Sequence, residues 1–384
     1  MYRIMTPGPT SVPDSVMGAR SVWFPNSDTD ADFFEEYHEL CRLLAKLLHT
    51  ENEVYIMDGE GILGLEAACA SLTEPGDRVL VIDNGIYGRG FADFVSMYGG
   101  VPVLYSSDYR KPVNAEELRD FLEKDSDFKY ATVVHCDTPS GMLNDVSAIC
   151  PLLKSYGILT VVDSVSAMFG AELRVDDWQI DIACGGSQKA LSAPSGLTLI
   201  SVSPDAFAAI DARKTPIASF YCSIAAFRNY YSDKWFPYTM PASDIYGLRE
   251  AVRIVKEDSG RLERHARIAS AVRAALTEAG LTLYADGGYS PTVTVFNVPD
   301  GIKADDIINT MLSEYKILIA GSFDILSGKV LRIGHMGNNA NVRDIADTFE
   351  ALDKTLRFLG FGIKYDIRKA FTEELKVGSE EFIK

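Results

Sequence analysis

The sequence predicts an α/β protein: a mainly parallel seven-stranded sheet in a large domain, followed by a smaller C-terminal α/β domain. Three observations carry this expectation. Seven short apolar runs lie between residues 53 and 203, and the first five are each followed by a segment long enough for a crossover helix. The connection between the sixth and seventh runs, residues 187 to 196, is too short for a helical crossover, so the seventh strand is expected antiparallel to its neighbour. Two further strand-like runs near the C-terminal end are interleaved with helical patterns.

Each element follows from local pattern. The first twenty residues are rich in Pro and Gly and read as an extended arm. From Phe33 to Leu48 the apolar residues recur at three- and four-residue steps, which gives a helix one core-facing side. The strand runs are "EVYIM", "RVLVID", "VPVLYS", "YATVVHCD", "ILTVVDS", "IDIACGG" and "LTLISVS", and their near-continuous hydrophobicity fits strands covered on both faces. An aromatic, loop-rich stretch from Ile217 to Pro241 leads into one long helix from about Tyr246 to Ala279. Strands at "PTVTVFNVP" and "KVLRIGHMG" and helices near 303 to 315 and 341 to 358 form the second unit. The expected division is an arm at 1–20, a large domain at 21–255, a small domain at 256–363 and a charged, helix-like extension at 364–384.

Composition narrows the function. A chain with 47% hydrophobic and 24% charged residues packs a core. Its 54 acidic and 37 basic residues give a net charge of −17, which repels nucleic acid and anionic lipid. No run approaches the length of a membrane span, and the N-terminal residues lack the apolar stretch of a secretory signal, so a cytoplasmic protein is expected. The six cysteines form no C-x-x-C pair and read as buried thiols; the five histidines show no metal-ligand spacing.

Ligands of open parallel sheets bind beyond the carboxyl ends of the strands. Several unusual residues fall at that edge: "DGEGILG", "NGIYGRG", "DTPSG", Asp163 and Lys189. Gly59, Gly61 and Gly64 match G-x-G-x-x-G, and Asp83 stands where a ribose-binding acid would, so an NAD-binding oxidoreductase is one reading. A turn that binds phosphate through free backbone N–H groups is another, and a tight turn with no ligand is the third. Lys189 is flanked by small residues, which leaves room for a bulky group beside an amine able to attack a carbonyl. Asp163 ends an apolar strand, where a carboxylate either caps a turn or holds a pyridine nitrogen protonated. Tyr87, between Gly85 and Gly88, reads either as a ring lying flat against such a group or as an exposed loop tyrosine. Arg332, in an apolar strand, needs an anionic partner: a structural carboxylate or that of a substrate.

Together "TPGPT" (6–10), "DTPSG" (137–141), "VDSVSAMFG" (162–170), "GGSQKALSAPSG" (185–196), "ASFY" (218–221), "YTMP" (238–241) and "LRIGHMG" (331–337) resemble the class V aminotransferases, and within them the alanine–glyoxylate and serine–pyruvate branch. The resemblance runs through residues 1 to about 360. It implies a fold-type-I homodimer using pyridoxal 5′-phosphate, with Lys189 as Schiff-base lysine and proton carrier and Asp163 on the pyridine nitrogen. It further implies that Tyr87 and Val165 sandwich the ring and that Thr138 meets its hydroxyl side. The phosphate would take the N–H groups of Gly61 and Ile62 and the amide of Gln188, with Thr239 arriving from the neighbouring subunit. Arg332 would bind the substrate carboxylate near Gly8.

Three departures stand out. Glu60 and Ile62 occupy positions where relatives often carry hydroxyl or imidazole side chains, Phe236 replaces a tyrosine that would add a phosphate contact from the partner subunit, and "PNSDTDADFF" lacks a His-Arg-Ser. The expected reaction moves an amino group from alanine or serine to glyoxylate or pyruvate; ureidoglycine–glyoxylate and 2-aminoethylphosphonate–pyruvate transamination are the alternatives. A cysteine desulfurase is disfavoured, since Gln188 precedes Lys189 and "GSFDILSGKV" has no cysteine.

Overall fold

A computed structural model describes residues 2–376 of the chain. The arm enters as a short strand, β1 (Arg3–Ile4), and a one-and-a-half-turn helix, α1 (Asp14–Ala19), before the amphipathic helix α2 (Ala31–Leu47). Asp30 caps α2 by accepting the Asp32 N–H, and Phe33, Phe34, Tyr37, Leu40, Cys41 and Leu44 form its buried face. Then β2 (Glu53–Asp58), α3 (Gly61–Leu72), β3 (Arg78–Asp83), α4 (Ile86–Met97), β4 (Val101–Ser106), α5 (Ala115–Leu122) and β5 (Tyr130–Val134) alternate. A small hairpin, β6 (Cys136–Asp137) and β7 (Met142–Leu143), precedes α6 (Val146–Ser155), and β8 (Leu159–Asp163), β9 (Ile182–Gly186) and β10 (Leu197–Val202) complete the sheet.

The sheet has seven strands in the order β2-β10-β9-β8-β5-β3-β4. Its β9-β8-β5-β3-β4 pairings are parallel, while β10 runs antiparallel to both β2 and β9, as the short 187–196 connection requires. Two expectations needed correction. The apolar run of β4 is not covered on both faces: it is the edge strand, and Val101 and Leu104 are exposed. The β8-to-β9 connection, although long enough for a helix, contains no α-helix and crosses in turns instead.

Beyond β10 come α7 (Pro204–Asp211), α8 (Tyr230–Asp233), α9 (Ala242–Glu257), α10 (Arg261–Glu278), β11 (Val293–Asn297), α11 (Ala304–Tyr315), β12 (Ile317–Leu318), β13 (Val330–Gly334), α12 (Val342–Phe358) and α13 (Ile367–Lys376). The single helix expected from Tyr246 to Ala279 is two helices, because Asp258-Ser259-Gly260 interrupts it and the Asp258 carboxylate turns to pair with Arg264. Strands β11 and β13 pair antiparallel, and β1 of the arm adds in parallel to β12, so the arm is stitched to the C-terminal unit.

Buried apolar residues fall into two clusters, one around the large sheet and one among α10, α11, α12, α13 and the C-terminal strands. Within residues 364–384, the described part to Lys376 includes α13, whose Phe371 packs edge-on against Phe349 with ring centroids 5.4 Å apart. That part therefore belongs to the second core; the remainder of the expected extension, after Lys376, lies outside the described residues.

Candidate active site

The carboxyl ends of β2, β5, β8 and β9 open onto one cavity, lined by Glu60, Ile62, Leu65, Tyr87, Cys136, Thr138, Asp163, Val165, Ser166 and Lys189. Residues far apart in sequence meet here because the parallel sheet aims all these strand ends at one edge. Lys189 sits in the tight connection between β9 and β10. Ser187 holds that turn by donating to the Pro194 carbonyl at 2.6 Å, and Thr10 of the arm donates to the Lys189 carbonyl at 3.0 Å.

Lys189 Nζ donates to the Pro7 carbonyl at 2.8 Å. Gly8 follows with φ +112°, and a Cβ there would stand 2.6 Å from Lys189 Nζ, so arm and lysine touch only because residue 8 has no side chain. Desolvation lowers the Lys189 pKa, and the Arg332 charge lowers it further. Both effects favour the neutral amine, which is the nucleophilic form.

Asp163 is buried at the end of β8 and accepts the Val165 N–H at 2.9 Å. Burial pushes its carboxyl up to about 7, against the lowering effects of that N–H and of Lys189. A cationic ring nitrogen would relieve this carboxylate. Val165 presses on α3 so closely that a Cβ at Gly61 would lie 2.9 Å from Val165 Cγ2. Tyr87 projects from the first turn of α4, and Thr138 follows β6.

Arg332, on β13, donates through Nε to the Gly321 carbonyl at 2.6 Å. Among the described residues its two terminal nitrogens have no hydrogen-bond partner, which leaves the guanidinium fork available to a carboxylate. Its charge centre is 5.8 Å from the Phe323 ring centroid, and Phe323 in turn packs edge-on against Tyr87 at 6.0 Å. Phe323 thus joins arginine and aromatic lid, a role that an exposed loop phenylalanine does not announce in sequence.

Asp137, quoted only as part of "DTPSG", is a second buried carboxyl of this region. It accepts from Ser140 Oγ at 2.6 Å and from the Tyr87 N–H at 3.1 Å, and Gly85 makes room for it, since a Cβ there would strike its carboxylate. It fixes the start of α4 and hence Tyr87.

Two of the named positions belong to a contact expected across subunits. Thr239 donates to Asp28 at 2.9 Å on the surface of its own chain. Phe236 is buried in the large core, stacked on Phe34 at 4.7 Å. An aromatic ring enclosed by Phe33, Phe34, Tyr37 and Tyr230 packs rather than binds.

The Aminotransferase class-V family matches residues 20–323. The chain belongs to the class V aminotransferases. It is 34% identical over 365 residues to an aminotransferase of Methanocaldococcus jannaschii, covering 94% of each chain. It is also 33% identical over 343 residues to the pyridoxamine–pyruvate transaminase of Mesorhizobium japonicum, covering 88% of this chain and 86% of that one. In structure it is similar to ureidoglycine–glyoxylate aminotransferase from Bacillus subtilis, with a TM-score of 0.94, 31% identity and 98% of both chains covered.

Class V aminotransferases use pyridoxal 5′-phosphate. The ring end of the cavity fits that group: an amine at Lys189, a buried carboxyl at Asp163 and flanking faces at Tyr87 and Val165. The phosphate end does not fit as it stands, because Glu60 carries its own carboxylate to the N-terminus of α3. The dinucleotide reading of Gly59, Gly61 and Gly64 falls with the family assignment. Asp83, its ribose acid, is occupied by Arg89, Ser106 and Tyr109.

Proposed function

We propose that this aminotransferase moves an amino group from a small amino acid, alanine or serine, to glyoxylate or pyruvate. In this reading Lys189 forms the covalent link and carries the proton, and Asp163 pairs with the pyridine nitrogen. Tyr87 and Val165 flank the ring, Thr138 meets its hydroxyl, and Arg332 with Gly8 receives the substrate carboxylate. The observation that carries it is the juxtaposition of a pKa-lowered Lys189 and a buried Asp163 across one cavity.

Pyridoxal chemistry, when the group is bound, supplies the electron sink that makes the amino-acid α-hydrogen acidic. The chain supplies everything else. Lys189 would serve as the base for that hydrogen, and its burial and the Arg332 charge favour the neutral, proton-accepting amine. Arg332 would orient the carboxylate, with Phe323 packed between it and Tyr87.

The divisions at 20 and 255, with the second unit continuing through α13, and a cytoplasmic homodimer complete the proposal. Trp23, Phe220, Tyr221 and Trp235 support the dimer, being large apolar side chains more than half exposed on this chain. Thr239 lies in the same aromatic segment, from which the partner's cavity would be reached. Borohydride reduction followed by mass spectrometry should place the added mass on Lys189. Steady-state turnover with alanine, serine, ureidoglycine and 2-aminoethylphosphonate against glyoxylate and pyruvate then ranks the donors. Highest kcat/KM with either of the last two donors would replace the alanine–serine reading.

A further inference from the structure

The end of the cavity that would take a 5′-phosphate already holds an anion of the chain's own. Glu60 is the N-cap of α3, and its Oε2 accepts the Ile62 N–H at 3.0 Å. Its Oε1 accepts Gln188 Nε2. These are two of the four donors that the family resemblance assigns to the phosphate, the others being the Gly61 N–H and the partner's Thr239, so the carboxylate stands in for the phosphate and uses its hydrogen bonds.

What remains at this end is short of donors and rich in acceptors. Ile62 contributes an exposed hydrocarbon where a hydroxyl would have helped a phosphate. The cavity lining contains two acids, Glu60 and Asp163, and one cation, Lys189, which is committed to the ring's aldehyde in the reading above. Gln188 Oε1 is buried without a partner among the described residues, one more acceptor in want of a proton. A phosphate dianion only accepts hydrogen bonds and would meet the Glu60 carboxylate with like charge. A 5′-hydroxyl both donates and accepts, and bears no charge. Its proton would satisfy a Glu60 oxygen.

We propose that Glu60 sets the vitamin B6 preference of this site toward the unphosphorylated molecules, pyridoxal and pyridoxamine, over their 5′-phosphates. The inference rests on the aminotransferase reading of the Lys189–Asp163 pocket. Without a phosphate anchor the vitamer is held by the ring contacts and the link to Lys189, so it exchanges with solvent more readily than an anchored cofactor does.

The test titrates the cofactor-free protein with pyridoxal and, separately, with pyridoxal 5′-phosphate. Binding is followed by absorbance, and borohydride-trapped Lys189 adducts are counted by mass spectrometry. Pyridoxal should bind at least tenfold more tightly than its phosphate. Glu60→Ser removes the carboxylate and supplies a hydroxyl cap; Glu60→Gln keeps the shape and removes the charge. Both should shift the ratio at least tenfold toward the phosphate, with circular dichroism confirming that they fold. Tighter binding of the phosphate by the wild type, or a ratio unmoved in both folded variants, overturns the proposal while leaving the aminotransferase reading intact. If neither aldehyde modifies Lys189, the aminotransferase reading falls, and this proposal with it.

Discussion

The two ends of the cavity are built on different principles. At the ring end, Asp163 and Asp137 are fully buried and held by backbone N–H groups and Ser140, and Lys189 is held by the arm. At the 5′ end, Glu60 is only partly covered and rests on a helix N-terminus and one glutamine. Buried charge is costly, so a site keeps it only where its surroundings are over-determined. A partly buried carboxylate at a turn is exchanged at lower cost. The ring end therefore fixes what chemistry is done, and the 5′ end is where the choice of ligand is made.

The largest test of this contrast is Lys189→Ala. Multiple turnover should fall by roughly 10²–10⁴-fold or more, and borohydride should no longer add mass to the active-site peptide. Turnover within a few-fold of wild type would refute the division of labour outright. Arg332→Ala comes next. Loss of a charge-assisted carboxylate contact of about 1.5–3 kcal/mol corresponds to roughly a 10- to 150-fold rise in KM for the amino acid. Arg332→Lys should recover only part of it, since an ammonium cannot reproduce the two-pronged geometry. A KM unchanged in Arg332→Ala would assign the guanidinium to structure, as a partner of Gly321 alone.

Much of this was legible in sequence, for identifiable reasons. Strand ends were readable because buried parallel strands are apolar throughout, so an acid or lysine at their ends stands out; Asp163 and Lys189 did. The antiparallel β10 followed from the length of one loop. The break at Asp258–Gly260 was missed because the helical period resumes in phase after it, and β4 was misjudged because an edge strand facing solvent with Val101 and Leu104 reads like a covered one. Phe323 and Asp137 carried no local signal at all: their roles depend on contacts across the fold, from the loop before β13 and the β6 turn to the start of α4. Glu60 was visible as a departure, but its hydrogen bond to Gln188, 128 residues away, required the sheet to be closed.

The smallest expected effect probes the support behind the ring end. Three buried histidines stay neutral there and in the adjoining unit, as burial lowers the pKa of His135 to about 4, of His265 to about 4 and of His335 to about 3. His135 shares a 3.1 Å hydrogen bond with Ser164, the neighbour of Asp163, His265 accepts the Gly337 N–H at 2.9 Å, and His335 pairs with Thr294 at 2.8 Å. Folded pKa values below the unfolded 6.5 mean that unfolding takes up protons in acid. The histidine contribution is intact above about pH 6.5 and is lost as pH falls toward 4 and 3. Asp163, raised by burial, acts in the opposite sense between about pH 4 and 7, and Asp137 adds to that opposition. The clean measurement is thus a difference. Denaturant unfolding at successive pH values should show the slope of stability against pH reduced in His335→Asn by about 1.4 kcal/mol per pH unit near pH 5. An identical slope in that variant would mean that His335 is not held neutral by the fold.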